Sequence, residues 1–371
     1  MADDNVEVSP QSWEYRLVAA VVRSVERRVG AGNGHVRTRW NGRLLEETEP
    51  NTLGSAHKDG SLAVSVPQVL VRLREARDVD RPLTDDEVWL LRDAINTVTH
   101  EAVHLMAPLG DRTAPEAYSY DDAASAFDEG RTEHWTEVNL DDVIQDVFPE
   151  AGLNHRKAAV LSESSLSAYP GYTAAVRHLD EALAARSGLT NERVTETLLV
   201  AEDAQRWNVA VDMVIDERLA RTGLMPESHR VEVRRKLVAP LHESFGSLAL
   251  VEADESLGDD QKAAAGVKAA QQAIAGLDKA LDRIERGYRV ERAQRAQQQL
   301  NPADRPAQQD LPPDLKRLQA LTAPQAPATD ATKQRPAAAA LSPSENANGA
   351  RVRGQQIDRA QLNPKHPPQR G

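Results

Sequence analysis

Residues 84–110 read TDDEVWLLRDAINTVTHEAVHLMAPLG, and this stretch decides how the rest of the chain is read. Thr84, with Glu87 three residues on, makes a capping box, in which each side chain satisfies a backbone N–H that a helix start leaves without an acceptor. Asp85 and Asp86 add negative charge in the first turn, where the helix dipole favours it. Pro108 and Gly110 stop the run, so a helix is expected over 84–107. Inside it, His100 and His104 fall one turn apart on one face, close enough to ligate one ion. Glu101, one residue round the helix, can reach a water on that ion, which gives the pattern two ligands and a general base. Ala102, Val103, Leu105 and Met106 give this turn the apolar flanks of a helix buried beside a cleft, rather than those of a solvated surface helix.

Two histidines do not complete a catalytic zinc site, which usually has three protein ligands and an open position. A third histidine six residues on, as in the metzincin pattern, is excluded, because Ala107 and Gly110 occupy the relevant places. The next helix, expected over 121–138, carries Phe127-Asp128-Glu129-Gly130-Arg131-Thr132-Glu133-His134. At this point the chain resembles the gluzincins, the thermolysin-like and aminopeptidase-like zinc metallopeptidases. In these a glutamate on a helix after HExxH is the third ligand, and in several families it opens an Asn/Asp-Glu-Gly stretch like Asp128-Glu129-Gly130. The resemblance covers residues 60–180 and implies a Zn2+ ion on His100, His104 and Glu129. Glu133, one turn after Glu129, is either a residue that orients a histidine through its free ring N–H or the ligand itself.

The implied activity is peptide hydrolysis in a zincin-like catalytic domain, acting on a peptide or protein substrate. The metal acidifies a water, Glu101 takes its proton, and a carbonyl is attacked. A second donor is wanted for the oxyanion. Tyr172 and His178 are candidates, together with Tyr169, and behind them Tyr120 and His134; each is equally at home in a core or on a helix surface. The segment GSLAVSV, residues 60–66, is expected to be a strand, either an edge along which an extended substrate pairs or an ordinary structural strand.

Outward from the motif the pattern is mainly helical. Trp13, Leu17, Ala20, Val21 and Val25 mark an amphipathic helix ended by Gly30, Gly32 and Gly34, and HVRTRW at 35–40 alternates like a short strand. Helices are expected over 67–80, 173–187, 191–222 and 227–250. Val267, Ile274, Leu281 and Tyr288 then recur every seventh residue, interleaved with Ala270, Leu277 and Ile284, as in a heptad seam that packs on the body or on another copy. The fold class expected is α+β, mainly helical, with a small N-terminal sheet. The division expected is a metal-binding region at 1–150, a helical subdomain at 151–298, and a Gln/Ala/Pro-rich tail at 299–371 too poor in large apolar residues to fold.

Composition narrows the partners. The absence of cysteine excludes disulfides and thiolate metal ligands, which leaves His, Asp and Glu. A net charge of -12 argues against nucleic acid. The acidic start, Met1-Ala2-Asp3-Asp4-Asn5, lacks the features of a secretory signal, and no apolar run is long enough to span a membrane, so a cytoplasmic location is the default expectation. Two other readings belong beside the peptidase. One is a catalytically silent zincin-fold binding or assembly protein, which retention of the base Glu101 disfavours. The other is an exported peptidase effector or toxin, faintly suggested by Trp40-Asn41-Gly42 and the Tyr118-to-Asp122 spacing.

Overall fold

The capping box forms as the sequence requires: in this computed structural model, which describes residues 6–33, 36–165 and 167–299, Thr84 caps a helix over Asp85–His104. Thr84 Oγ1 accepts from the Glu87 N–H and Glu87 accepts from the Thr84 N–H. The elements, in chain order, are α1 (Trp13–Asn33), β1 (Leu44–Glu47), β2 (Gly54–Ala56), β3 (Leu62–Ser65), α2 (Val71–Asp78), α3 (Asp85–His104), α4 (Asp122–Ala151), α5 (Lys157–Leu161), α6 (Pro170–Ser187), α7 (Asn191–Leu199), α8 (Arg206–Ile215), α9 (Arg230–Gly246), α10 (Leu248–Glu252) and α11 (Asp259–Gln299). The architecture is mainly helical with one small sheet. Among the described residues no helix is long and apolar enough to cross a membrane.

The sheet has the order β1-β3-β2, with β1 parallel and β2 antiparallel to β3. Leu62–Ser65, from the GSLAVSV segment, is therefore the central strand and offers no free edge. The edge beside α3 is instead Gly54–Ala56, a stretch with little intrinsic strand preference. The expected strand at 35–40 does not form over its described part, 36–40. Its backbone and side chains cap α3 instead: the Arg39 N–H donates to the Leu105 carbonyl and its guanidinium to the carbonyls of His104 and Ala107. A cation over the last carbonyls of a helix is favourable for the same electrostatic reason that acids favour its start. Trp40 packs on Tyr15 with ring centroids 5.6 Å apart, and the Tyr15 hydroxyl donates to the Gly42 carbonyl.

One core joins α1, the sheet, α2, α3 and α4 through Leu17, Val21, Val25, Leu44, Leu62, Leu73, Leu91, Ile95, Val98 and Ile144, all essentially inaccessible to solvent. Burying each large aliphatic side chain contributes roughly 1.5–3 kcal/mol. The second helix is longer than expected, because Leu140, Val143, Ile144, Val147 and Phe148 continue the buried stripe until Gly152, at φ 77°, ends it in the left-handed conformation. The single helix expected over 191–222 is broken at 200–205, where the N–H groups of Asp203 and Ala204 donate to Pro108 and Leu109 and pin the loop that follows α3.

Among the described residues, those up to Arg286 make one compact unit, and Gly287–Gln299 belong to a second. Within the first, the heptad face of α11 packs on the chain's own body. Ile274, Leu277 and Leu281 are buried, Gly276 sits on Pro240, and Arg186 grips Asp278 with both ends of its guanidinium at 2.6 and 2.7 Å. In the second, residues 291–297 of α11 are exposed. The tail expected to be unfolded lies, Gln299 apart, outside the described residues.

Candidate metal centre

Two helices build the site. On α3, His100 and His104 project from one face, one turn apart; on α4, Asp128 and Thr132 form one stripe and Glu129 and Glu133 the next. The first stripe meets His104 and the second meets His100. His100 Nδ1 lies 2.9 Å from Glu133 Oε2, and His104 Nδ1 lies 3.2 Å from Asp128 Oδ2 and 3.4 Å from Thr132 Oγ1. A carboxylate on Nδ1 selects the Nδ1–H tautomer of a neutral imidazole and leaves the Nε2 lone pair free to point elsewhere.

Both Nε2 atoms point at one place. They are 3.1 Å apart, and Glu129 Oε2 lies 3.2 Å from His100 Nε2 and 3.3 Å from His104 Nε2. Ligands at 2.0–2.1 Å around a tetrahedral ion stand about 3.3 Å from one another. The three atoms thus form a nearly equilateral triangle of the size that one such ion requires. His100, His104 and Glu129 make a buried group that can hold a metal ion. Glu133 touches the far nitrogen of His100, so its place is behind the ligand and not in the triangle.

Electrostatics at the site are those of a cation's surroundings. Burial lowers the His100 pKa, but the carboxylates of Glu129 and Glu133 overcome it and lift the ring to about 9. Burial likewise opposes His104, and Glu129 and Asp128 hold it well above its ordinary value. Burial raises Glu129, yet His104 and His100 draw it down to about 2. Asp128 is depressed as well, with burial outweighed by Arg206 and His104. The carboxylates of Glu129, Glu133 and Asp128 thus favour positive charge at the two imidazoles, a preference that a bound cation would also meet.

Glu101 lies beneath the edge strand. Its carboxyl is pushed up, chiefly by burial, against the lowering effects of His100, His104 and the Ala56 N–H. Gly54 makes room for it: a Cβ there would fall 2.7 Å from Glu101 Cγ. A carboxyl raised by burial and set beside the ligands suits a group that must both take and return a proton.

The ring of Tyr169 has its centroid 6.1 Å from that of His100, and Tyr172 stacks on it at 5.5 Å. Burial, then Glu129, Glu101 and Glu133, hold the Tyr169 phenol well above its ordinary pKa. Tyr120 is raised by burial, Asp128 and Glu129, with Ser125 opposing. Tyr172 is raised by burial, then Glu252 and Glu129. His178 is a half-buried residue of α6 that makes none of these contacts. His134, beside Glu133 in sequence, is drawn down to about 4 by burial and Arg177 and has no place in the ligand triangle.

Gly130 completes the Asp-Glu-Gly stretch for a steric reason. A Cβ at this position would lie 2.5 Å from the Tyr172 carbonyl oxygen, so only glycine lets α6 approach α4 this closely. That approach brings Tyr169 to the site. Beyond it, buried Arg131 clasps buried Asp180 at 2.8 and 2.9 Å, and Thr195 donates to the same carboxylate at 2.7 Å. Arg206, at the start of α8, pairs with Asp128 and lies 3.7 Å from Asp203.

The chain matches no protein family model, no curated protein and no solved structure.

Sequence reasoning left Gly54, Ala56, Asp128 and Arg206 without a role. A signal existed for Asp128, which is next to Glu129 in sequence and one turn before Thr132 on the helix. None existed for Arg206, whose link to Asp128 spans 78 residues of chain.

Proposed function

We propose that this chain is a zinc-dependent metallohydrolase, a peptidase with a gluzincin-type ligand set in a zincin-like fold. The observation that carries the reading is the triangle of His100 Nε2, His104 Nε2 and Glu129 Oε2, with edges of 3.1, 3.2 and 3.3 Å. Its size suits an ion of zinc's bond lengths, and two nitrogens with one oxygen are a donor set that zinc accepts. Three protein ligands rather than four favour a catalytic over a structural site.

The ion, when bound, acidifies water and polarises a carbonyl oxygen. The residues of the chain supply the remainder. Glu101, buried beside the ligands, takes a proton from the attacking water and returns it to the leaving amine. Tyr169, whose ring lies beside that of His100, is the residue we assign as donor to a developing oxyanion. Asp128 and Glu133 hold the imidazoles in the ligating tautomer. The survival and burial of Glu101 favour turnover over a silent scaffold, since metal binding alone has no need of it.

The test is Glu101→Gln assayed against a peptide library in zinc. Wild type is expected to cleave and the variant to bind zinc with cleavage reduced by roughly 10²-fold or more. Equal cleavage by both proteins would remove Glu101 from the chemistry, and none by either would favour the scaffold.

A further inference from the structure

Glu133 serves two partners at once. Its Oε2 lies 2.9 Å from His100 Nδ1 on α3, and its Oε1 accepts the Ala168 N–H, also at 2.9 Å. The side chain is 1% exposed, so water does not compete for either oxygen. Ala168 immediately precedes Tyr169, the residue whose ring stands beside His100. One carboxylate therefore joins a metal ligand to the backbone that carries the site's tyrosine.

Within the segment, the Tyr169 carbonyl accepts the Thr173 N–H at 2.9 Å, and Ser167 Oγ lies 3.5 Å from Thr173 Oγ1. Tyr169 is the N-cap of α6, but its side chain makes no capping hydrogen bond. The first-turn N–H groups of Gly171 and Tyr172 donate instead to Glu252, on α10, at 3.0 and 3.3 Å. Carboxylates from other elements thus hold this entry into α6 on both sides, Glu252 from α10 and Glu133 from the metal centre.

We propose that Glu133 is a positioning residue that couples occupancy of the metal centre to the placement of Tyr169. Ligation through Nε2 fixes the His100 ring with its proton on Nδ1; that N–H fixes Glu133 Oε2, and the rigid carboxylate then presents Oε1 to Ala168. The coupling is reciprocal: whatever the ion contributes to ordering residues 167–172, that ordering contributes to holding the ion. The inference rests on the metal reading above, and a zinc titration of the wild-type chain tests that reading separately.

Glutamine at position 133 separates the two contacts. Its one carbonyl oxygen can accept from His100 or from Ala168 but not both, because its NH2 end turns a donor toward a donor. Hydrogen–deuterium exchange is measured on the full chain with and without saturating Zn2+. In wild type, zinc is expected to slow exchange both over 97–104 and over 167–172. In Glu133→Gln, protection over 97–104 is expected to remain while the zinc-dependent protection over 167–172 is lost. Ala168→Pro removes the N–H and leaves the Glu133–His100 contact in place; its zinc affinity, measured by chelator competition, is expected to fall by about 10- to 100-fold. This second variant decides the matter if Glu133→Gln does not fold or retain zinc. Wild type that binds zinc without slowing 167–172 overturns the coupling and leaves the metal centre standing. Full zinc protection in Glu133→Gln, or unchanged affinity in Ala168→Pro, also overturns it. Wild type that binds no zinc removes the metal reading itself.

Discussion

Glu129 and Glu133, one turn apart on α4, contact opposite nitrogens of the same imidazole: Glu129 lies 3.2 Å from Nε2 of His100, and Glu133 lies 2.9 Å from Nδ1. Spacing alone leaves either glutamate as the third ligand, since both project from one helical stripe. The orientation of the His100 ring separates them. The carboxylate that shares a point with both Nε2 atoms can join the ion, and the one behind the ring can only orient it.

A similar division of labour governs His104. Asp128→Asn is expected to weaken zinc binding by about 10- to 100-fold, because the amide no longer favours the ligating tautomer as the carboxylate does. Competition with a chromogenic chelator measures it; an affinity within twofold of wild type would mean that Asp128 serves only its ion pair with Arg206.

The pH dependence of stability has a defined sign. In the metal-free protein His100 is raised from 6.5 to about 9, so its stabilising contribution is complete below pH 6.5 and disappears as pH rises through 9. Glu129 is lowered from 4.5 to about 2, so its contribution is complete above pH 4.5 and disappears as pH falls toward 2. These two groups make the metal-free chain most stable between these limits, at about pH 4.5–6.5. Zinc replaces the protons, so the rise in Tm that it causes is expected to be larger at pH 9 than at pH 6. Paired thermal melts test this, and an equal or smaller shift at pH 9 counts against the site.

Gly130→Ala opposes two effects of known size. Alanine improves helix propensity by about 1 kcal/mol. Its Cβ, however, would meet the Tyr172 carbonyl at 2.5 Å, with backbone on both sides. Steric conflict of this kind typically costs about 1–3 kcal/mol and prevails. Net destabilisation by denaturant titration is expected, with reduced cleavage from the displaced Tyr169. A more stable variant would show that the α4–α6 contact yields easily.

The Arg131–Asp180 pair supports the same contact from further out. Asp180→Ala leaves a buried guanidinium without its counter-ion and is expected to destabilise the fold by about 3–5 kcal/mol. Zinc affinity in the folded fraction should change less than in Asp128→Asn. The reverse ranking would place Asp180, not Asp128, in control of the ligands.

Much of this was legible in local sequence. The capping box, the two histidines, Glu101 and the Asp-Glu-Gly stretch all lie within single helices, where periodicity converts spacing into direction. What could not be read depends on contacts between distant segments. The strand Gly54–Ala56 has no strand-like composition and exists because β3 pairs with it. Residues 36–40 alternate as a strand would, but Arg39 is drawn to the carbonyls at the end of α3. Tyr169, Tyr172 and His178 are indistinguishable as donors until the glycine at 130 sets how closely α6 approaches.

Zinc content after exhaustive dialysis, measured by mass spectrometry on wild type and on Glu129→Ala, is the most direct test of the centre. One ion per chain in wild type, and none in a Glu129→Ala variant that still folds, is the predicted result. Zinc absent from the wild type, or retained in full without Glu129, would contradict it.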